Sequence, residues 1–198
     1  MSQHTVQFYF DYGSPYSYIG SHLIEGVCDK AGAGLEWMPM VIGGVFKAVG
    51  HTPGFTVEHR RVYMEEDVAD LCAYHGIPYK ARTEFLFNPI LSLRATLAVP
   101  QGPERARAVH ALYKGAFAED LDLGQPDVVI GLLNDAGLDG AAIAESTQDQ
   151  AIKDQLKANT DEAVSLGIFG APTCVVDGKK KFWGHDRFPL LEHYLHNA

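Results

Sequence analysis

Val6-Gln7-Phe8-Tyr9-Phe10-Asp11-Tyr12-Gly13-Ser14-Pro15-Tyr16-Ser17-Tyr18 is the stretch on which the architecture turns. Val6 to Phe10 is rich in aromatic and branched residues, as strands are. Asp11, Gly13 and Pro15 end that run, and apolar residues then recur at Tyr18, Ile19, Leu23 and Val27 with helical spacing. The reading is strand, turn, helix, with Ser14 the last residue before the helix. Ser14 followed by Pro15 is an N-cap and N1 pair that many helices carry without any function. The same place, at the C-terminal end of a first strand, is where open α/β sheets hold their ligands. A helix N-terminus adds roughly half a positive charge there. A serine hydroxyl cannot form a disulfide, but it can donate to an anion, and a thiolate docked at such a terminus is stabilised.

Outward from this stretch, Gly32 and Gly34 stop the helix, and Leu35 to Ile42 is a second apolar run broken by Pro39. The opening is therefore β-α-β. From Lys47 to about Gly167 the spacing is helical. Met64, Val68, Leu71, Cys72 and His75 form one stripe; Asn88-Pro89 opens a second helix; Ala106, Val109, Tyr113, Ala116 and Phe117 mark a third. Gln125-Pro126 starts a fourth that Gly137 ends, and Thr147 to Gln150 fits a capping box ahead of Ile152, Leu156, Ala163 and Leu166. Gly167 stops that last helix. β-type sequence returns at Thr173 to Val176, Asp177-Gly178 signals a tight hairpin turn, and Lys181-Phe182-Trp183 follows. A final helix is expected from about Asp186. The predicted fold is α/β: a thioredoxin-like topology with a large helical domain inserted in its middle. Residues 1–46 and 168–198 form the discontinuous thioredoxin-like domain, and residues 47–167 the α-helical insertion.

Composition narrows the function. The 198 residues carry 16 Lys and Arg against 25 Asp and Glu, a net charge of −9, and the basic residues are scattered rather than striped. Nucleic acid is not expected as a partner. No apolar run reaches the ~20 residues that span a bilayer, and the first residues lack a basic segment followed by an apolar one, so no membrane association and a cytoplasmic address are expected. Cys28, Cys72 and Cys174 contain no Cys-x-x-Cys, so neither a disulfide framework nor a thiolate zinc site is indicated. They read as small buried hydrophobes. The histidines are dispersed, with only His193 and His196 sharing a helical face near the C-terminus, and no metal site is expected.

Three further segments can carry chemistry. In Phe169-Gly170-Ala171-Pro172-Thr173 a proline stands just before a strand, where a cis bond would hold a turn opposite the first helix. About 5% of X-Pro bonds in folded proteins are cis, and the position raises that share. The turn would present the backbone of Ala171 as a short edge for a peptide-like ligand. In Trp183-Gly184-His185-Asp186-Arg187, Asp186 is either the N-cap of the last helix or an acceptor for a ligand ammonium, and Trp183 is either core or the wall of a site. Lys47, after Ile42-Gly43-Gly44-Val45-Phe46, is either a solvated charge or a carboxylate anchor at the domain junction.

These motifs, Phe-Asp-x-x-Ser-Pro-Tyr-Ser-Tyr, Phe-Gly-Ala-Pro-Thr and Phe-Trp-Gly-x-Asp-Arg, taken in order, give a chain that resembles the 2-hydroxychromene-2-carboxylate isomerases, relatives of the kappa-class glutathione transferases within the DsbA-like group of thioredoxin folds. The resemblance spans nearly the whole chain. It implies a glutathione site in which Ser14 is the catalytic serine and hydrogen-bonds the glutathione sulfur. It implies that the Ala171 backbone, ahead of a cis Pro172, pairs with the cysteinyl part. Asp186 with His185 would meet the γ-glutamyl end, Lys47 the glycine carboxylate, and Trp183 would wall the site. His185 and His51 depart from the asparagines found in many relatives. The implied reaction is isomerisation of 2-hydroxychromene-2-carboxylate to trans-o-hydroxybenzylidenepyruvate, with glutathione as cofactor, a small aromatic substrate and a homodimeric enzyme. Three other readings stay open: a kappa-class-like transferase conjugating electrophiles, a thiol–disulfide oxidoreductase using Cys174, and a binding module without chemistry. Phe85, Phe87 and Leu91, in the helical insertion, are core or pocket residues.

Overall fold

β1 (Thr5–Phe10) and β2 (Gly34–Pro39) pair in parallel, with Phe8 opposite Trp37, and α1 (Pro15–Ala31) makes the crossover between them. The structure is a computed structural model and describes residues 4–83 and 87–198. β3 (Thr173–Val176) returns antiparallel to β1 with Phe8 opposite Cys174, and β4 (Lys180–Trp183) closes a four-stranded sheet of order β2-β1-β3-β4. β1 is therefore interior, and its apolar run follows from that: Val6, Phe8, Tyr9 and Phe10 are all fully buried. The pleat sends Phe8 and Phe10 to one face, against Trp37 and Tyr12, and Tyr9 to the other, with Met40, Val45, Ile168 and Val175.

The segment between β2 and β3 is helical: α2 (Ile42–Val49), a 3₁₀ turn (Gly54–Thr56), α3 (Glu58–His75), α4 (Ile90–Ala98), α5 (Pro103–Phe117), α6 (Pro126–Asp135), α7 (Gly140–Ser146) and α8 (Gln150–Ser165). A second 3₁₀ turn (His185–Arg187) and α9 (Phe188–Asn197) complete the chain. The architecture is the thioredoxin-like sheet with an inserted helical segment. Among the described residues, no helix is long and apolar enough to cross a membrane.

Several local expectations are corrected. Ile42-Gly43-Gly44-Val45-Phe46 is helical rather than a junction, so α2 starts five residues before Lys47. Gly44 fits because α8 comes close: a Cβ on it would lie 3.2 Å from Thr160 Cγ2. α7 was not anticipated; it is short and begins where Asp139 accepts from Ala142 N at 3.0 Å. The capping box at Thr147 to Gln150 does not form. The Thr147 hydroxyl instead donates to Ala144 O (2.7 Å) and closes α7, while α8 starts after Asp149. Asp186 is not the cap of α9 either; it lies inside the 3₁₀ turn, and Arg187 precedes the helix. Phe87 and Leu91 are half-buried against the main core, and Phe85 lies outside the described residues.

The hairpin is as expected. Asp177 (φ 50°) and Gly178 (φ 66°) both take the left-handed conformation that tight hairpin turns require. The Asp177 carboxylate also accepts from Thr5 N (2.9 Å) and meets His4 Nδ1 (2.7 Å), tying the turn to β1.

Candidate active site

Ser14 is the N-cap of α1. Its backbone is extended (φ −101°, ψ 110°) and its Oγ accepts from Ser17 N at 3.2 Å. The same hydroxyl donates to Ala171 O at 3.2 Å, across the molecule from a segment 157 residues later. The Ala171–Pro172 bond is cis. Pro172 O accepts from Gly184 N (2.9 Å) and the Thr173 hydroxyl donates to Gly170 O (2.8 Å), which hold the turn to the start of β3 and the end of β4. Small size at Gly20 lets α1 pack beneath it, since a Cβ there would meet Pro172 Cγ and Phe8 Cζ, both at 3.2 Å.

Ser14 and Ala171 open onto a cleft of about 570 Å³. Its walls are mostly apolar: Pro15 and Tyr16 from α1, Ile42 and Phe46 from α2, Tyr63 and Met64 from α3, Phe169 and Trp183 from either side of the cis turn. Trp183 packs its ring 4.7 Å from that of Phe169 and stays half-exposed along the cleft. Gly170 permits this, because a Cβ there would sit 2.5 Å from Trp183 Nε1. Three cationic or ionisable side chains, His51, His59 and Arg60, line the same cleft. Arg61 beside them is paired with Glu65 (2.6 Å), whereas Arg60 has no ion pair among the described residues. In a chain of net charge −9, Arg60 thus puts a positive charge on the lining of an apolar cleft.

The fold thus brings Ser14, Ala171, Pro172 and Trp183 together. Lys47 is exposed in the last turn of α2 and is not among the residues that line the cleft. His185 is buried behind Tyr16, its ring stacked 5.8 Å away at 14°, and Tyr16 in turn donates to Asp67 at 2.8 Å. Burial holds His185 below the ordinary imidazole value, with Asp186 acting the other way. Asp186 is exposed, paired with Arg187 at 2.9 Å, and outside the cleft lining. Gly184 before it has φ 91°, and a Cβ there would lie 2.4 Å from Asp186 Oδ1, so the Trp-Gly-x-Asp spacing needs glycine twice over.

Sequence reasoning missed Phe46, His59, Arg60 and Tyr63. They sit on α2 and the first turns of α3, where no motif distinguishes a cleft wall from a solvated face; only His51 had been singled out. The cysteines form no part of the site. All three are buried, and burial pushes the Cys28 thiol up to about 12, Cys72 up to about 11 and Cys174 well above its usual value. None is a thiolate near neutral pH, which a thiol–disulfide exchange centre needs. Among the described residues there is no cluster of ligands able to hold a metal.

Known proteins share this fold. The chain is 27% identical over 197 residues to a 2-hydroxychromene-2-carboxylate isomerase from Sphingobium xenophagum, covering 96% of this chain and 97% of that protein. It is 28% identical over 204 residues to glutathione S-transferase kappa 1 from Homo sapiens, covering 96% and 90%. A solved 2-hydroxychromene-2-carboxylate isomerase superposes with a TM-score of 0.85 at 20% identity, covering 96% of this chain and 94% of that one. Residues 5–196 match the DSBA-like thioredoxin domain, and the chain is a member of that family.

Proposed function

We propose that this protein is a glutathione-dependent isomerase acting on a 2-hydroxychromene-2-carboxylate type of substrate. The observation that carries the reading is the Ser14 hydroxyl at the α1 N-terminus, 3.2 Å from the carbonyl of a cis-proline turn, in an apolar cleft without a cysteine. The cleft fits a tripeptide thiol: a hydroxyl donor and helix terminus for the sulfur, the Ala171 backbone for the peptide, and Arg60 with His51 for a carboxylate. Arg60, rather than Lys47, is the cation this reading assigns to the carboxylate. The chemistry supplied by bound glutathione is reversible addition of its sulfur to a conjugated carbon, which makes a double bond single until elimination restores it.

Ser14 keeps the sulfur ionised. Its hydroxyl turns from Ala171 O to donate to the anion, and the positive end of α1 adds to that donation. A thiol of ordinary pKa ~8.5 is then substantially ionised near neutrality. Tyr16, Phe46, Met64 and Trp183 line the cleft, and in this reading they keep water from the reacting carbons and hold the aromatic ring while, the heterocycle opened, the side-chain bond that addition has made single rotates. A second reading, conjugation by a kappa-class-like transferase, is supported by the 28% identity to the human enzyme.

The deciding experiment is Ser14→Ala with thiolate absorbance of bound glutathione and product analysis. The variant should raise the bound thiol toward its free value and lower kcat by ~100-fold or more. Retained activity with an unshifted thiol removes Ser14 from the reaction. Net consumption of glutathione by the unmodified protein would favour conjugation over isomerisation.

A further inference from the structure

Asp11 is a carboxylate that the chemistry above does not use, and it is 1% exposed. Its Oδ1 accepts from Gly13 N at 2.7 Å and its Oδ2 from Ile42 N at 2.8 Å. Its main-chain carbonyl accepts from Ser14 N at 3.0 Å and from the Tyr113 hydroxyl at 3.1 Å. Gly13 precedes Ser14. Ile42 is the first residue of α2, and Ile42 and Phe46 both line the cleft. The two oxygens of one side chain therefore join the loop that bears the serine to the helix that forms another wall. Val41, the N-cap of α2, has no side-chain acceptor to offer, and the Asp11 carboxylate takes that place with its charge at the positive end of the helix.

Both N–H groups need an acceptor, and only the ionised carboxylate presents one on each oxygen. A protonated carboxyl, or an amide, keeps one good acceptor and turns a donor toward the other N–H. We infer that Asp11 is a positioning residue of this site: its ionised carboxylate sets the separation between Ser14 and the α2 wall, and protonation loosens that setting. The titratable groups nearest it are Tyr12, whose hydroxyl meets Thr96 Oγ1 at 2.6 Å, and Tyr113 from α5, whose hydroxyl bonds the Asp11 main-chain carbonyl; burial keeps both neutral, while α2 offers its backbone N–H and Arg105 acts on Tyr12. Burial outweighs the two N–H bonds and pushes the Asp11 carboxyl up to about 6, so the change of state lies within reach of solution work.

The inference rests on the glutathione reading only for its kinetic readout, and the test separates the two. In the ligand-free full chain, the amide resonances of Gly13 and Ile42 should titrate together with a midpoint near 6, and both should be flat in Asp11→Asn. In turnover with glutathione, kcat should show an acid limb with that midpoint, absent in Asp11→Asn. The variant's kcat at neutral pH should be lower on the order of 10-fold, with KM for glutathione changed far less. Independent or absent titration of the two amides in the natural protein overturns the inference even if the variant does not fold, as does an Asn variant that keeps the acid limb and the rate. If glutathione does not bind at all, the proposed glutathione chemistry fails while the amide titration still decides the role of Asp11.

Discussion

Gly170 shows how much of the cleft depends on one missing side chain. Trp183 stands where a Cβ on Gly170 would come to 2.5 Å of its Nε1, and the indole has room to move because it is half-exposed. Gly170→Ala is therefore expected to shift Trp183 off the cleft while leaving the fold intact. Weakened glutathione binding by calorimetry, with a change in Trp183 emission and a thermal midpoint within a few degrees of the parent, would bear this out; unchanged binding would separate Trp183 from the site. The residues that the motifs marked divide by the same logic. Ser14 and Ala171 were legible because a turn before a helix and a proline before a strand are local events. Arg60 and Tyr63 were not, since nothing in the first turns of a polar helix says which way the rest of the molecule lies.

The start of α2 escaped the sequence because a tertiary partner replaced a local one. α2 lacks a cap of its own and is started by Asp11, 31 residues upstream, a bond that no reading of Val41 and Ile42 could anticipate. At the α6–α7 corner the decisive contact is again steric. A Cβ on Gly140 would lie 2.4 Å from Ile130 O, whereas one on Gly131, within α6, meets nothing within 4 Å. Gly140→Ala should cost ~1–3 kcal/mol through forced separation of the two helices. Gly131→Ala should stabilise by ~0.5–1 kcal/mol through helix propensity. Urea unfolding of the pair checks both signs, and equal effects would mean that α7 is not seated as described.

One main core joins the sheet to the helical segment: Phe8 and Phe10 of β1 belong to the same cluster as Leu112 of α5 and Leu133 of α6. Into this core the fold places the Asp11 carboxyl, at a cost that appears as a pH dependence of stability. Its folded-state pKa is raised from 3.8 to about 6, so its contribution is fully present below 3.8 and lost as pH rises through 6. The stability of the natural protein relative to Asp11→Asn should fall between pH 4 and 7 by on the order of 3 kcal/mol. Denaturant midpoints across that range test it, and a difference independent of pH would mean that the carboxyl is not desolvated in solution. A site kept at the expense of stability is a common feature of working active sites.

The order β-α-β, helices, β-β-α, the serine at the head of α1 and the proline before β3 were written in the chain, because hydrophobic period, turn chemistry and helix stops act over a few residues. The tertiary structure alone selected which polar side chains face the cleft, bringing Arg60 and His59 in and leaving Lys47 and Asp186 outside, and it set Asp11 between Ser14 and α2. Those relations join residues tens of positions apart through packing and buried hydrogen bonds, and the periodicities of a sequence hold no record of distances of that kind.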